Sequence, residues 1–216
     1  MNEELDDCLM PEFLIPVPGS DCAIFFEQVT RLAFQRRQII TAPTFIPATR
    51  PIGAIASWTP LLNASGPTRV TLSPIFSNFV IPPSEALTEG GNDNSTVGGI
   101  RIYKGESSVT VDFVMYGLTN AQYNALLSYS KESLAAQGVP KLSVFMLTFN
   151  DAAIHNLDGR GIDIYNFRIS SVGIDGTGKN AYNCSFDLMP RWDKNVVQTK
   201  LQFNPMADLI PVVEFA

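Results

Sequence analysis

The sequence predicts a mainly β protein: an antiparallel sheet, or a small β-sandwich or barrel, with one helix packed against it and a long proline-rich extended arm ahead of it. Three observations lead there. Beyond residue 100, Val109, Val111, Phe113 and Met115 alternate with Thr110, Asp112, Val114 and Tyr116, the period-two signature of half-buried strands. A single helix carries its own start and stop signals between Thr119 and Gln137. Between Ile39 and Pro83, Pro43, Pro47, Pro51, Pro60, Pro67, Pro74, Pro82 and Pro83 interrupt the chain, and no central strand runs across a proline.

The totals narrow the class. The chain has 216 residues, 45% of them apolar and only 17% charged. That suits one domain with a real core plus an irregular extension. The net charge of −6 is concentrated at the start, in Glu3, Glu4, Asp6, Asp7 and Glu12. No Lys/Arg run suggests phosphate contacts, so sequence-specific nucleic-acid recognition is not expected, although an acidic wall could line a passive DNA channel. Cys8, Cys22 and Cys184 are odd in number and lack C-x-x-C spacing, which points to reduced thiols rather than disulfides or zinc. No signal peptide, membrane span or cofactor is expected.

In chain order, residues 1–22 form an acidic, proline-broken tail. Residues 23–99 open with a helix from about Ala23 to Gln38, with Phe25, Phe26, Val29, Leu32, Ala33 and Arg36 at helical spacing and Arg31, Arg36 and Arg37 toward its C-terminal end, where the dipole favours cations, while Ile24, Phe25 and Phe26 equally fit the start of a strand. The proline-rich arm follows, too apolar for a disordered linker and apt to lie on its own sheet or on a neighbour's. A flexible loop, Glu85 to Gly99, closes that region.

Residues 100–204 form the antiparallel domain. Ile100 and Ile102 begin a strand, Lys104-Gly105-Glu106 turns, and the alternating strand runs through Tyr116. Thr119 and Gln122 make a capping box for helix 119–137, with Tyr123, Leu126, Leu127, Ser130 and Leu134 on one face. Gly138 and Pro140 end it. Leu142–Phe149 is apolar on both faces and belongs at the sheet centre. Asn150 to Gly161 is a connection, and Val197, Thr199, Leu201 and Phe203 make a last strand. Residues 205–216 form an extended C-terminal arm.

The stretch Gly161–Arg191 invites a catalytic interpretation. Gly173 to Lys179 spells G-x-x-x-x-G-K, a phosphate-binding loop but for Asn180 where a magnesium-binding Ser or Thr belongs. Its flanks alternate: Tyr165, Phe167 and Ile169 before, Tyr182, Cys184, Phe186 and Leu188 after. That is a hairpin with a glycine-rich tip, whereas a phosphate loop opens a helix. His155, the one histidine, sits in a polar stretch and reads as a surface or capping residue. Asp151, Asp158 and Asp163 read as turn formers rather than a calcium loop, and Asp112 with Asp187 as solvated carboxylates rather than a glycosidase pair. Nothing identifies an enzyme.

The strand Ser108–Tyr116 leading into one helix, the apolar strand Leu142–Phe149 and the late hairpin ending S-F-D-L-M-P-R together resemble the tail-tube and baseplate-ring proteins of bacteriophages and related contractile injection systems. The resemblance covers about residues 99 to 191 and implies a β domain of tail-tube type. It further implies a virion tail or baseplate subunit made in the host cytoplasm, assembling with copies of itself in a ring and with other virion tail proteins. The proline-rich first hundred residues depart from a minimal tube subunit and imply a specialised baseplate or tail-end component. Expected contacts are Phe45, Ile46, Trp58, Phe76 and Phe79 in the arm, Gly173, Asp175, Gly176, Gly178 and Lys179 at the hairpin tip, and Val212, Val213 and Phe215 at the C-terminal arm. Two other functions fit less of the chain: a β-sandwich module binding carbohydrate or a cell surface, with Trp58, Trp192 and the tyrosines as stacking groups, and a nucleotide enzyme using Gly173–Lys179.

Overall fold

The computed structural model describes residues 29–37, 43–66, 68–90, 100–134, 139–174 and 180–209. The acidic tail, the first part of the expected helix, residues 91–99, the hairpin tip 175–179 and the arm beyond Leu209 lie outside the described residues.

Among the described residues the fold is a mostly antiparallel β system with two α-helices. Nine strands join in one sheet: β1 (Val29–Arg36), β2 (Val70–Leu72), β3 (Phe76–Val80), β6 (Val109–Tyr116), β7 (Leu142–Thr148), β8 (Ala152–Asn156), β9 (Ile162–Ile174), β10 (Asn180–Leu188) and β11 (Val196–Lys200). The two others, β4 (Ala86–Glu89) and β5 (Ile102–Glu106), pair only with each other. Helix α1 covers Ile55–Leu62 and α2 covers Asn120–Leu134. Strands from both sides of residue 99 share the sheet, since β1 pairs with β7 and β3 with β6.

Strand β7 is the hub. All seven of its residues are buried. One edge pairs with the whole of β1. The other is divided: Leu142–Val144 pair with the start of β9, and Met146–Thr148 pair with β8. The sheet therefore forks, one branch continuing to β8 and β11, the other through β9 to β10, β6 and β3. Strand β9 belongs to both regions. Up to Ile164 it pairs with β7, and from Tyr165 it pairs with β10. At the changeover the register slips opposite Ser185–Asp187, and Asn166 takes φ 49°. This is a bulge at a residue type that tolerates the left-handed region. Beyond it the buried side moves to Phe167 and Ile169, leaving Tyr165 half-buried.

Each face of β7 has its own core. Leu142, Val144 and Met146 face one containing Leu32, Phe34, Val111, Phe113, Ile164, Phe167 and Phe186. Phe145 and Leu147 face the other, built from Ala33, Phe45, Ile52, Trp58, Leu61, Leu72, Leu201 and Leu209. Helix α2 closes the first core. Its capping box forms as expected, Thr119 N–H donating to Gln122 Oε1 at 2.9 Å and Gln122 N–H to Thr119 Oγ1 at 3.2 Å. Leu126, Ser130 and Ser133 are buried, and Ser133 Oγ accepts from the Phe167 amide at 3.0 Å. Leu134, expected on that face, is exposed.

Several expectations are corrected. The helix expected from Ala23 to Gln38 is strand β1 over its described length: Leu32 and Phe34 on one face enter the first core and Ala33 on the other enters the second, so all three are enclosed and period two disappears. Arg31 is buried rather than at a helix end, and burial lowers its pKa. Its Nε donates to Ser73 O at 3.1 Å, and its Nη1 to Pro205 O at 2.9 Å and Leu209 O at 3.0 Å. The Asn150–Gly161 connection contains β8, an Ala-Ala-Ile strand too short to advertise itself. Lys104-Gly105-Glu106 lies within β5 and not in a turn, and Glu85–Gly99 begins with β4. The last strand stops at Lys200, short of Leu201 and Phe203.

The proline-rich segment is likewise not an extended arm. It folds back to cover the second core, and its described prolines fall at joints or on exposed helix surface, as Pro60 does. Trp58 is fully buried, donates from Nε1 to Ile52 O at 2.7 Å, and stacks among Phe45 and Phe145 at centroid distances of 4.7 and 5.6 Å. The segment is fastened at Phe45, whose amide donates to Gly159 O at 3.0 Å. Gly159 has φ 77°, and a Cβ there would stand 2.1 Å from Phe45 O. Gly159→Ala therefore has to displace this fastening, and we expect a loss of about 2–4 kcal/mol in urea unfolding. A change within about 0.5 kcal/mol would show that Phe45 is not held there.

Candidate functional site

The expected contact residues divide by placement. Phe45, Trp58 and Phe76 are buried in the chain's own cores, so they serve folding. Ile46 is exposed, and Phe79 is half-buried against Phe76 and Phe113. Gly173 lies in β9 opposite Ala181. Asp175, Gly176, Gly178, Lys179, Val212, Val213 and Phe215 lie outside the described residues. The chain leaves β9 at Ile174 and enters strand β10 at Asn180, so the element after Gly173–Lys179 is a strand and not the helix that a phosphate loop opens.

Sequence patterning missed one exposed apolar surface. All of β4 is exposed, as are Ile102, Tyr103 and Lys104 of β5. Leu87 is 50% exposed, Ile102 48% and Tyr103 51%, and Ile100 just before β5 reaches 68%. A lone two-stranded ribbon is marginal in water, and apolar side chains add nothing to it while solvated. Its root is tied down: Ser107 N–H donates to Glu85 O at 2.8 Å, and the Glu85 amide to Ser107 Oγ at 3.0 Å. The Lys104–Glu89 pair at 2.6 Å crosses the ribbon in solvent and contributes little. The faint alternation of Ile100 and Ile102 was the one available signal. The turn-forming composition of the neighbouring residues concealed the partner strand.

Beside that root opens a cleft of about 540 Å³, lined by Phe79, Ile81, Pro82, Pro83 and Trp192 with Glu106, Arg191 and Asp193. Glu106 Oε1 accepts from Tyr103 Oη at 3.2 Å and lies 3.7 Å from Arg191 Nε, while Oε2 accepts from Ser84 Oγ at 3.2 Å. Arg191 itself has φ 57°, strained for a non-glycine residue.

The suspected acid and histidine sites are structural. Asp187 accepts from Thr110 Oγ1 at 2.8 Å and Asn166 Nδ2 at 2.7 Å, and Arg168 approaches to 3.5 Å. Asp163 pairs with Arg37 at 3.0 Å; burial, partly offset by Arg37, raises its pKa. Among the described residues no Asp/Glu/His/Cys group could hold a metal ion. The Cys184 thiol is buried and its pKa is pushed up to about 12, which suppresses the reactive thiolate. His155 was expected in a polar loop. It is buried on β8, at the base of a mainly apolar hollow of about 410 Å³. Its Nδ1 lies 2.7 Å from Asn156 O, so Nδ1–H donates and Nε2 accepts from Thr199 Oγ1 at 2.9 Å.

No protein family, curated protein or solved structure matches this chain.

Burial lowers the His155 pKa, outweighing the opposing pull of Asn156 O and Asp158. Below the unfolded value of about 6.5 the unfolded chain binds a proton that the folded chain refuses, so stability falls as pH drops through that window. Above it the contribution is constant. We expect the melting temperature to decrease from about pH 7 to pH 5, with a flatter profile in His155→Gln. Equal slopes in both proteins would remove His155 as the cause.

Proposed function

We propose that this chain is a structural, non-catalytic subunit of a phage-type tail or baseplate, forming or connecting rings with copies of itself. The observation that carries this reading is the β4–β5 ribbon. It shows Leu87, Ile102 and Tyr103 to solvent, and neither β4 nor β5 pairs with any other described strand. Open, apolar strand edges are an aggregation hazard to a monomer and are suited to β-strand addition from a neighbour. A second copy is the natural occupant, because edge-to-edge pairing can repeat from subunit to subunit and close a ring. The order of elements adds support: β6 leads into the single helix α2, the apolar β7 follows, and the β9–β10 hairpin comes late, as in the ring proteins the sequence resembles. In this reading the proline-rich segment is part of the subunit body, and the ribbon performs the clasping first assigned to that segment.

Sedimentation velocity at micromolar concentration should give a closed oligomer. Leu87→Glu combined with Ile102→Glu should shift it to monomer with an unchanged circular dichroism spectrum. A wild-type chain that stays monomeric throughout that range overturns the proposal.

A further inference from the structure

The cleft beside the ribbon has a chemistry that ring assembly does not require, and the following inference does not rest on the assembly reading. We propose that it is a binding site for a neutral carbohydrate, taking one or two pyranose rings.

Its walls are of two kinds. Phe79, Ile81, Pro82, Pro83 and the half-buried Trp192 give flat apolar faces, all of low conformational freedom. Phe79, Ile81 and Trp192 are braced from behind by packing on the first core. The remaining lining is charged: Glu106, Arg191 and Asp193. A ligand here must meet apolar rings with one part and hydrogen-bonding charges with another. Glu106 and Asp193 outnumber Arg191, so the lining repels phosphate and other anions, while the flat apolar wall offers a hydrated cation no ligand atoms. A purely apolar occupant would strip water from three charged groups without replacing their hydrogen bonds. A pyranose answers both demands. Its C–H face lies on an aromatic ring, and its adjacent hydroxyls donate to a carboxylate or accept from a guanidinium fork.

The polar side is also fixed in advance. Glu106 is held between Tyr103 and Ser84 with Arg191 alongside, so little side-chain freedom remains to be lost on binding. Arg191 and Trp192 are presented by a strained turn: the left-handed Arg191 precedes a single 3₁₀ turn, Trp192–Asn195. Such strain marks places where geometry is kept for use. The volume, about 540 Å³, lies within the range of small-molecule sites.

Saturation-transfer NMR from the full chain to maltose, cellobiose, lactose and chitobiose tests this. It should be run on the wild type and on the Leu87→Glu/Ile102→Glu chain, so that ring closure does not decide the result. At least one sugar should receive transfer. The effect should vanish in Trp192→Ala, and Glu106→Gln, which keeps the side chain's shape, should weaken apparent affinity about ten-fold. No transfer to any of the four, or transfer indifferent to both substitutions, overturns the proposal. Sedimentation reports assembly separately: a chain that forms rings but takes no sugar loses only this inference, and a monomer that takes sugar loses only the other.

Discussion

The two-sided burial of β7 is the constraint on which the rest of the molecule depends. A strand enclosed on one face needs a single covering layer, whereas β7 needs two. The curled sheet and α2 supply one, enclosing Val144 and Met146. The proline-rich segment and α1 supply the other, over Phe145 and Leu147. Without the second layer Phe145, Leu147 and Ala153 would face water, so the segment that looks peripheral in sequence is half of the core.

Polar groups caught in these layers are satisfied locally. Arg31 brings a charge into the protein and meets three backbone carbonyls, which answers its donors although it leaves the desolvation cost in place. His155 takes the cheaper course, staying neutral with a carbonyl on one nitrogen and a hydroxyl on the other. Both link segments far apart in the chain. Fold specificity here rests on a few well-partnered polar side chains set in an otherwise apolar interior.

How legible this was from sequence depended on how many faces an element buries. Strands β6 and β10 bury one face, and Val109 to Met115 and Cys184 to Leu188 could be read from alternation. Helix α2 was legible because Thr119 and Gln122 carry their capping chemistry in their identities. The apolar centre of β7 was legible too, from Leu142 to Leu147, but not its fork, which no local pattern encodes. Strand β1 was misread because a core lies on each of its faces and leaves no period. The prolines misled because they mark joints as readily as extension: Pro51 precedes a helix, Pro74 separates two strands, and Pro60 rides on solvent. For the candidate surface, Leu87 lay inside a stretch judged by its glycines and asparagines, and Trp192 stood alone in sequence. Only folding brings Trp192 beside Pro82 and Glu106.

The Arg31 socket has a consequence in time. Its guanidinium reaches Leu209 O across 178 positions of chain, so a ribosome delivers the cation long before it delivers two of the three carbonyls that receive it. During synthesis β1 cannot settle with that charge enclosed and unanswered; it must wait, hydrated, until residues 205–209 emerge. Sealing of the second core is thereby tied to translation of residues 205–209, and a product lacking that stretch would leave Arg31 without two of its carbonyls.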